Sequence, residues 1–499
     1  MFIHFGPNTW QDREYDDRST PLDAMRPAMD TDQWVETAVG MGARYIVMVA
    51  KHVGGFCWWQ TETTEYSVRN IPWRNGTGDV MADLARSCAA RGIQLGVYLS
   101  PRDDSMAAGG SGRCATAEAQ AAYDRVYRRQ LTELLTQYGP IMELWLDGSS
   151  VVPTADIVGR FAPDAMIFQG PDATIRWVGN EDGFAPYPCW NALAAIDADT
   201  GVATAVHGDP LGDRWLPVEV DVSLRRPNWF WSTTNHVNLL SLDELLEIYY
   251  RSVGRGAQLL LNVTPDRSGR VPDADVRRLA QFGDAIRTRF ERPLAETAGA
   301  RRVFTLDLGG PRRVDHVLLE ERLDTGERVR AWQLEGFDGT RWVPLGDGSA
   351  IGHKRIQPVG PVTVTELRLS IPQAVGEPWM RRVAAFDIGA APPATWTDSV
   401  RLWADDVVGD WSPGEYAIDL SGHIASAGTY RLRFASQSAA SNLADRIEVV
   451  VDAVPRPGLV RRDRGRGDIV WVTVPEPAHR FVLTATLAGE GGQVLMRRI

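Results

Sequence analysis

Ile141-Met-Glu-Leu-Trp-Leu-Asp-Gly148 decides how the first 290 residues are read. The run is apolar but too short for a helix, and it breaks off at an acid followed by a glycine. A strand buried on both faces and ending in a polar tip has this form. Just before it, residues 116–138 carry the 3.6-residue periodicity of an amphipathic helix. The same alternation extends in both directions. Upstream lie strand patterns at 2–5, 45–50 and 95–99, with helical patterns at 31–41 and 79–91. Thr31 or Asp32 is expected to cap the first helix and Asp79 the second, with Gly92 closing the latter. Downstream, strands are expected at 165–168, 218–222, 229–231 and 259–263, and a helix at 242–253. Eight strands with intervening helices predict an α/β architecture, an irregular (β/α)8-like barrel over residues 1–292. Regular helices are hard to place around strands five to seven, so irregularity is expected there.

Past Pro293 the pattern changes to alternating strands separated by Gly, Asp and Pro turns. Residues 293–390 predict an all-β sandwich, and a stiff Ala-Ala-Pro-Pro-Ala linker from 390 to 394 leads to a second all-β sandwich at 396–499. The net charge of −11 opposes a nucleic-acid partner, which would require a basic face. No apolar run approaches the roughly 18 residues that span a bilayer. Residues 1–6 already read as a buried strand rather than a leader, so the compartment stays open between cytoplasm and secretion. The four cysteines (Cys57, Cys88, Cys114, Cys189) lack metal-ligand or disulfide-framework spacing and read as buried or half-buried thiols. Eighteen tryptophans are the outstanding feature of the composition. Some belong to the core, and others suit a pocket that stacks on flat, weakly polar faces such as those of sugars.

A barrel of this kind works at the C-terminal ends of its strands. The polar residues found there are His4, Lys51-His52, Tyr98 with Ser100, and Asp147. Arg176 to Asp182 follow strand five, Glu219 and Asp221 lie on strand six, and Trp229 on strand seven. Histidines, indoles and paired carboxylates converging on one rim fit glycoside hydrolysis. Asp147 is the strongest single candidate, an acid at a strand end beside an indole and a glycine. A retaining glycosidase needs a second carboxyl roughly 5–5.5 Å away, and Glu181 and Glu219 compete for that role. Either could instead pair with an arginine such as Arg176 or Arg225. There is no zinc-binding HExxH pattern, no phosphate-binding loop and no serine elbow.

Together these segments resemble the α-L-fucosidases of glycoside hydrolase family 29. The resemblance rests on many blocks in one order over about 1–285. Among them are His4-Phe-Gly-Pro-Asn-Thr9, Asp12-Arg-Glu-Tyr15, Lys51-His52, Gly55-Phe-Cys-Trp58 and Leu144-Trp-Leu-Asp-Gly148. Arg176-Trp-Val-Gly-Asn-Glu181, Pro217-Val-Glu-Val-Asp-Val-Ser223 and Leu259-Leu-Leu-Asn-Val-Thr-Pro265 continue it. The Gly-Asn-Glu181 block is similar to the subgroup of α-1,3/1,4-fucosidases, in which a galactose-binding-like sandwich follows the barrel. Residues 332–335 and 352–355 resemble that sandwich, whereas 396–499 have no recognisable counterpart.

The resemblance implies a retaining exo-glycosidase acting on fucosylated oligosaccharides or glycans, with Asp147 as nucleophile and Glu181, rather than Glu219, as acid/base. His4, Glu14, His52, Trp58 and Trp229 match sugar-contacting positions, with Tyr98, Arg176 and Glu219 as further candidates, and no metal or organic cofactor is implied. Two departures stand out. The family usually has Lys-His-His-Asp-Gly-Phe where this chain has Lys51-His-Val-Gly-Gly-Phe56, and Tyr15 replaces a common tryptophan. They leave open an α-L-galactosidase of the same fold, or a catalytically impaired carbohydrate-binding protein.

Overall fold

The computed structural model describes residues 1–193, 207–226, 228–234 and 238–390, with Leu420 and the C-terminal strands named below. Among the described residues, ten strands precede residue 263: β1 (Phe2–Ile3), β2 (Tyr45–Lys51), β3 (Gln94–Leu99), β4 (Ile141–Trp145), β5 (Met166–Phe168), β6 (Arg176–Trp177), β7 (Ala192–Leu193), β8 (Arg214–Trp215), β9 (Val218–Ser223) and β10 (Gln258–Asn262). Eight of them form one parallel sheet in the order β5-β4-β3-β2-β1-β10-β9-β6. An isolated parallel bridge between Phe168 and Ile175 draws the two ends together, so the barrel is nearly closed. β7 and β8 form a separate antiparallel pair.

The apolar runs fold as their composition demands. All seven residues of β2 are buried, because a barrel strand is covered by side chains inside and by helices outside. Helices at Thr31–Met41, Val80–Arg91, Ala117–Gln137 and Leu242–Arg251 match the periodic segments, and a further helix spans Asp273–Phe290. The first helix is capped by Asp30, whose side chain accepts from the Gln33 amide, rather than by Thr31 or Asp32. Asp79 and Gly92 bound the second as expected.

The region expected to be irregular contains one correction. Residues 229–230 form a bend, not a strand, and the eighth barrel position is filled by the two-residue β6. Trp229 therefore reaches the rim on a loop, not at a strand end.

Lys51 illustrates how the rim is tied. Its ammonium is fully buried and bonds the Asp103 carboxylate at 2.9 Å. It also lies 5.6 and 5.3 Å from the Tyr123 and Tyr127 ring centroids. The Lys51 carbonyl accepts from Ser100 N, joining the ends of β2 and β3.

Residues 295–386 form a six-stranded antiparallel sheet of β11 (Ala295–Ala300), β12 (Val303–Glu321), β13 (Val329–Phe337), β14 (Trp342–Gly348), β15 (Arg355–Ala374) and β16 (Trp379–Phe386), in the order β11-β16-β12-β15-β13-β14. β12 and β15 are long and shift register at bulges near Asp307 and Val314. Side chains from both ends of the sheet, such as Phe304 and Val317, thereby meet in a single core. Met1–Trp396 make one compact unit and Thr397–Ile499 a second. In the second unit, a five-stranded antiparallel sheet contains Asp406–Trp411, Gly492–Arg498, Gly428–Ser436, Ile469–Val474 and Val460–Arg462. A four-stranded antiparallel sheet contains Gly414–Asp419, Phe481–Leu487, Ala444–Val451 and Val454–Pro455.

Removing one partner of a buried ion pair leaves the other charge stranded in low dielectric, at a cost of about 3–5 kcal/mol. Lys51→Met is therefore expected to lower unfolding free energy by about that amount in urea titrations. A change within 0.5 kcal/mol would show that Asp103 does not depend on this cation.

Candidate active site

Asp147 lies two residues beyond Trp145, the end of β4. The Leu146 amide donates to the Phe168 carbonyl at 3.0 Å, which holds this strand end against β5. The chain then turns at Gly148, with φ of +74°, and the Gly148 amide donates to Gln169 Oε1 at 2.7 Å. A glycine here permits a left-handed turn that an L side chain would strain. The turn leaves Asp147 exposed to solvent at the barrel rim. Protein atoms crowd it on its other sides, and this partial burial raises its pKa, opposed by the Tyr98 hydroxyl donating to Oδ2 at 3.1 Å.

Two neutral histidines stand beside it. His4, at the end of β1, is buried and in contact range of His52, and both effects hold its pKa well below the usual range. Asn262, at the end of β10, fixes its tautomer. The Asn262 amide nitrogen donates to the Trp229 carbonyl at 2.8 Å, so its Oδ1 is the acceptor facing His4 Nδ1 at 2.9 Å. Nδ1 therefore carries the proton and Nε2 keeps its lone pair. Burial, aided by Arg102, pushes His52 down to about 4. The His52 ring stacks on Tyr98 at 5.9 Å, and its buried Nδ1 has no hydrogen-bond partner among the described residues.

Glu14 accepts the Trp229 amide at 3.0 and 3.1 Å, which fastens the half-buried Trp229 over His4, 5.1 Å between ring centroids. Burial, reinforced by Glu181, raises Glu14 to about 7. Glu181 lies solvent-facing on the loop after β6. The fields of both Glu181 and Asp147 act on Tyr15 and on Asp221, so the two carboxylates border the same cleft. Asp221 is buried on β9 and accepts Trp177 Nε1 at 2.7 Å. Tyr15 is 60% exposed at the cleft mouth, its ring 5.8 Å from the Arg102 guanidinium.

The structure separates two expected residues from this cleft, Glu219 and Arg176. Glu219 is the second residue of β9, 1% exposed, and accepts from Tyr45 Oη and Trp145 Nε1, both at 2.8 Å. Facing Glu143 inside the barrel, it is a core acid without access to substrate. Arg176 is also sealed, donating to the Trp190 carbonyl at 2.8 Å. Trp58 is buried, donating to the Phe5 carbonyl and stacking on the Phe5 ring at 4.9 Å, yet it lines a small pocket together with His52. Asn262 was missed by sequence reasoning, although an asparagine directly after the buried run 259–261 was a usable signal.

The unusual Val53-Gly54 pair also finds an explanation. A Cβ built on Gly54 would lie 2.3 Å from Asp16 Oδ2 and 2.6 Å from Asp16 Cβ. The carboxylate of Asp16 thus fills the space that a side chain at 54 would occupy. It is held there by Tyr66 Oη, Gln11 Nε2 and the Arg18 amide, each at 2.8 Å. Asp16, Gly54, His52 and Asn8 line one small pocket with Trp58. Among the described residues, no group of three or more His, Cys, Asp or Glu is arranged to hold a metal ion.

Comparison with known proteins places the chain among the α-L-fucosidases. A family model described as Alpha-L-fucosidase matches residues 3–289. A protein of Oryza sativa subsp. japonica named for α-L-fucosidase activity is 32% identical over 434 residues, covering 77% of this chain and 82% of that protein. Alpha-L-fucosidase 1 of Arabidopsis thaliana is 38% identical over 312 residues, 60% of each. The crystal structure of a glycoside hydrolase family 29 member from an unknown rumen bacterium has a TM-score of 0.72 and 26% identity. It covers 100% of this chain and 96% of that one, so the C-terminal module, without a recognisable counterpart by sequence, is matched in structure. The Ruminococcus gnavus family 29 fucosidase in complex with fucose has a TM-score of 0.69 and 26% identity, covering 77% and 92%.

Because the Asp16 carboxylate occupies the volume beside Gly54, Gly54→Ala is expected to cost about 1–3 kcal/mol in urea unfolding through overpacking. Adding Asp16→Gly in the same chain should relieve most of that loss. Simple additivity of the two changes would show that the residues do not compete for this space.

Proposed function

This chain belongs to the α-L-fucosidase family, glycoside hydrolase family 29, and from that premise we propose that it releases α-L-fucose from glycans in two steps with retention of configuration. Asp147 is the nucleophile and Glu181 the acid/base. One observation carries the assignment: of the competing acids, Asp147 and Glu181 open onto the cleft while Glu219 is sealed in the barrel core. The Gly179-Asn-Glu181 block favours α-1,3/1,4-linked fucose as substrate.

In the first step Glu181 gives its proton to the glycosidic oxygen as the bond to the anomeric carbon breaks. Asp147 attacks that carbon from the opposite face and forms a glycosyl ester. In the second step a water attacks the ester, Glu181 takes the water's proton, and fucose leaves with Asp147 regenerated. Asp147 must begin ionised, and the Tyr98 hydroxyl favours that state against the burial that raises its pKa. The neutral His4 offers Nε2 as an acceptor suited to a sugar hydroxyl. Trp229 supplies an apolar face. Fucose itself is the ligand of the R. gnavus relative, which supports fucose as the sugar released.

Asp147→Ala is expected to reduce kcat on aryl α-L-fucosides by several orders of magnitude. Added azide should restore turnover and give β-L-fucosyl azide, since it replaces the missing carboxylate on the same face. Near-normal turnover, or an α-azide product, would refute this assignment. Tyr98→Phe tests the protonation argument separately. A hydrogen bond to a charged group contributes about 1.5–3 kcal/mol, and its loss should raise the pKa of Asp147 by about 1–2 units. Activity is lost as pH falls through the pKa of the nucleophile, so the acid limb of kcat/KM should move to higher pH. An unmoved limb would remove Tyr98 from this role.

A further inference from the structure

The loop that carries Glu181 is attached to the first β-sandwich by its C-terminal half. Tyr187 Oη donates to the Ala350 carbonyl at 3.2 Å and accepts from the Ser349 amide at 3.1 Å. The Tyr187 ring lies 4.0 Å under the Arg355 guanidinium and packs with Trp190 and Ala350 in a buried cluster. Four residues on, Glu327 accepts both the backbone amide of Asn191 at 3.0 Å and its side-chain amide at 2.7 Å. Gly348 has the space for this attachment: a Cβ there would lie 2.1 Å from Tyr187 Oη.

The barrel side of the loop is anchored as well. Arg226 donates to Asp182, the neighbour of Glu181, at 2.5 Å. The Ala185 amide donates to the Arg251 carbonyl, and the Ala185 carbonyl accepts from Arg255 Nη1, both at 2.8 Å. Between Asp182 and Asn191 the far end is held from both sides: Glu327, Ser349 and Ala350 bind it from the sandwich, while Trp190 pairs with Arg176 and His207, and the Leu216 and Val218 amides donate to Asn191. β6 is only two residues long and ends at Trp177. It gives the loop little strand pairing of its own, so its course depends on these contacts.

From this arrangement we propose that the first β-sandwich sets the position of the acid/base, with Tyr187 and Glu327 as positioning residues that act through the loop bearing Glu181. The proposal rests on the assignment of Glu181 above. Its chemical signature follows from the first step alone. Protonation of the leaving oxygen matters for a poor leaving group and hardly at all for one that departs as a stable anion. A displaced Glu181 therefore slows the former and spares the latter. A general loss of folded enzyme or of fucose binding slows both equally.

The test uses the full chain and kcat/KM, which reports the first step, on 4-methoxyphenyl α-L-fucoside and on α-L-fucosyl fluoride. Tyr187→Phe removes the hydroxyl contacts with the ring retained, and Glu327→Gln replaces one acceptor oxygen by a donor. Each is expected to lower kcat/KM on the methoxyphenyl substrate 10- to 100-fold and to change it less than threefold on the fluoride. Glu181→Gln should show the same selectivity in larger measure. Equal losses on both substrates, or none, in both positioning variants would overturn the proposal while Glu181→Gln remained selective. If Glu181→Gln itself were unselective, the acid/base assignment would fall and the proposal with it. Two variants at different points of the attachment keep the outcome decisive if one of them does not fold.

Discussion

Three acids face the interior of the barrel, and the rest of the site is arranged around keeping them satisfied. Glu143, Glu219 and Asp221 are buried, and burial raises the pKa of each. An inward-facing carboxyl without a hydrogen-bond donor would cost several kcal/mol. Tyr45 and Trp145 donate to Glu219 and Trp177 to Asp221, while Glu143 pairs with Glu219. Two of those indoles belong to the strands that lead into the working loops. Trp145 is held by Glu219 and stacked on Phe168 at 3.6 Å, and Asp147 follows two residues later. Trp177 is held by Asp221, and Glu181 follows four residues later. The buried acids thus fix the tryptophans, and the tryptophans fix the points from which the exposed acids project.

The barrel was legible because apolar runs of five to seven residues have few other uses, and because acids or histidines at their ends mark one rim. Its least regular segment was not. β6 has two residues, too few for any periodicity, while the aromatic run Trp229-Phe-Trp231 has strand composition but serves as rim aromatics. Asp147 was readable from its place directly after a buried run. Choosing between Glu181 and Glu219 was harder from residues alone, although position carried the answer: Glu219 opens its strand, where side chains enter the core, whereas working residues follow strand ends. The attachment of residues 187–191 to the sandwich depends on contacts more than 130 residues apart, which local patterns do not encode.

The fold also redistributes the tryptophans that first suggested a sugar ligand. Trp34, Trp58 and Trp59 are core residues, each with its indole N–H bonded to a carbonyl or carboxylate. Trp229 remains half-buried beside the histidines. A high indole content here reflects a barrel that uses N–H donors to satisfy its interior at least as much as a pocket that stacks on sugar.

The exchange between positions 16 and 54 has a consequence for how such a site can change over time. With the Asp16 carboxylate in place, position 54 is closed to every residue larger than glycine. With a side chain at 54, Asp16 would have no room. Each arrangement is therefore locally stable against single substitutions, and any stepwise route between them passes through a pocket wall that is either overfilled or empty. The two positions are thus coupled, and a change at either is expected to be better tolerated when the other changes with it.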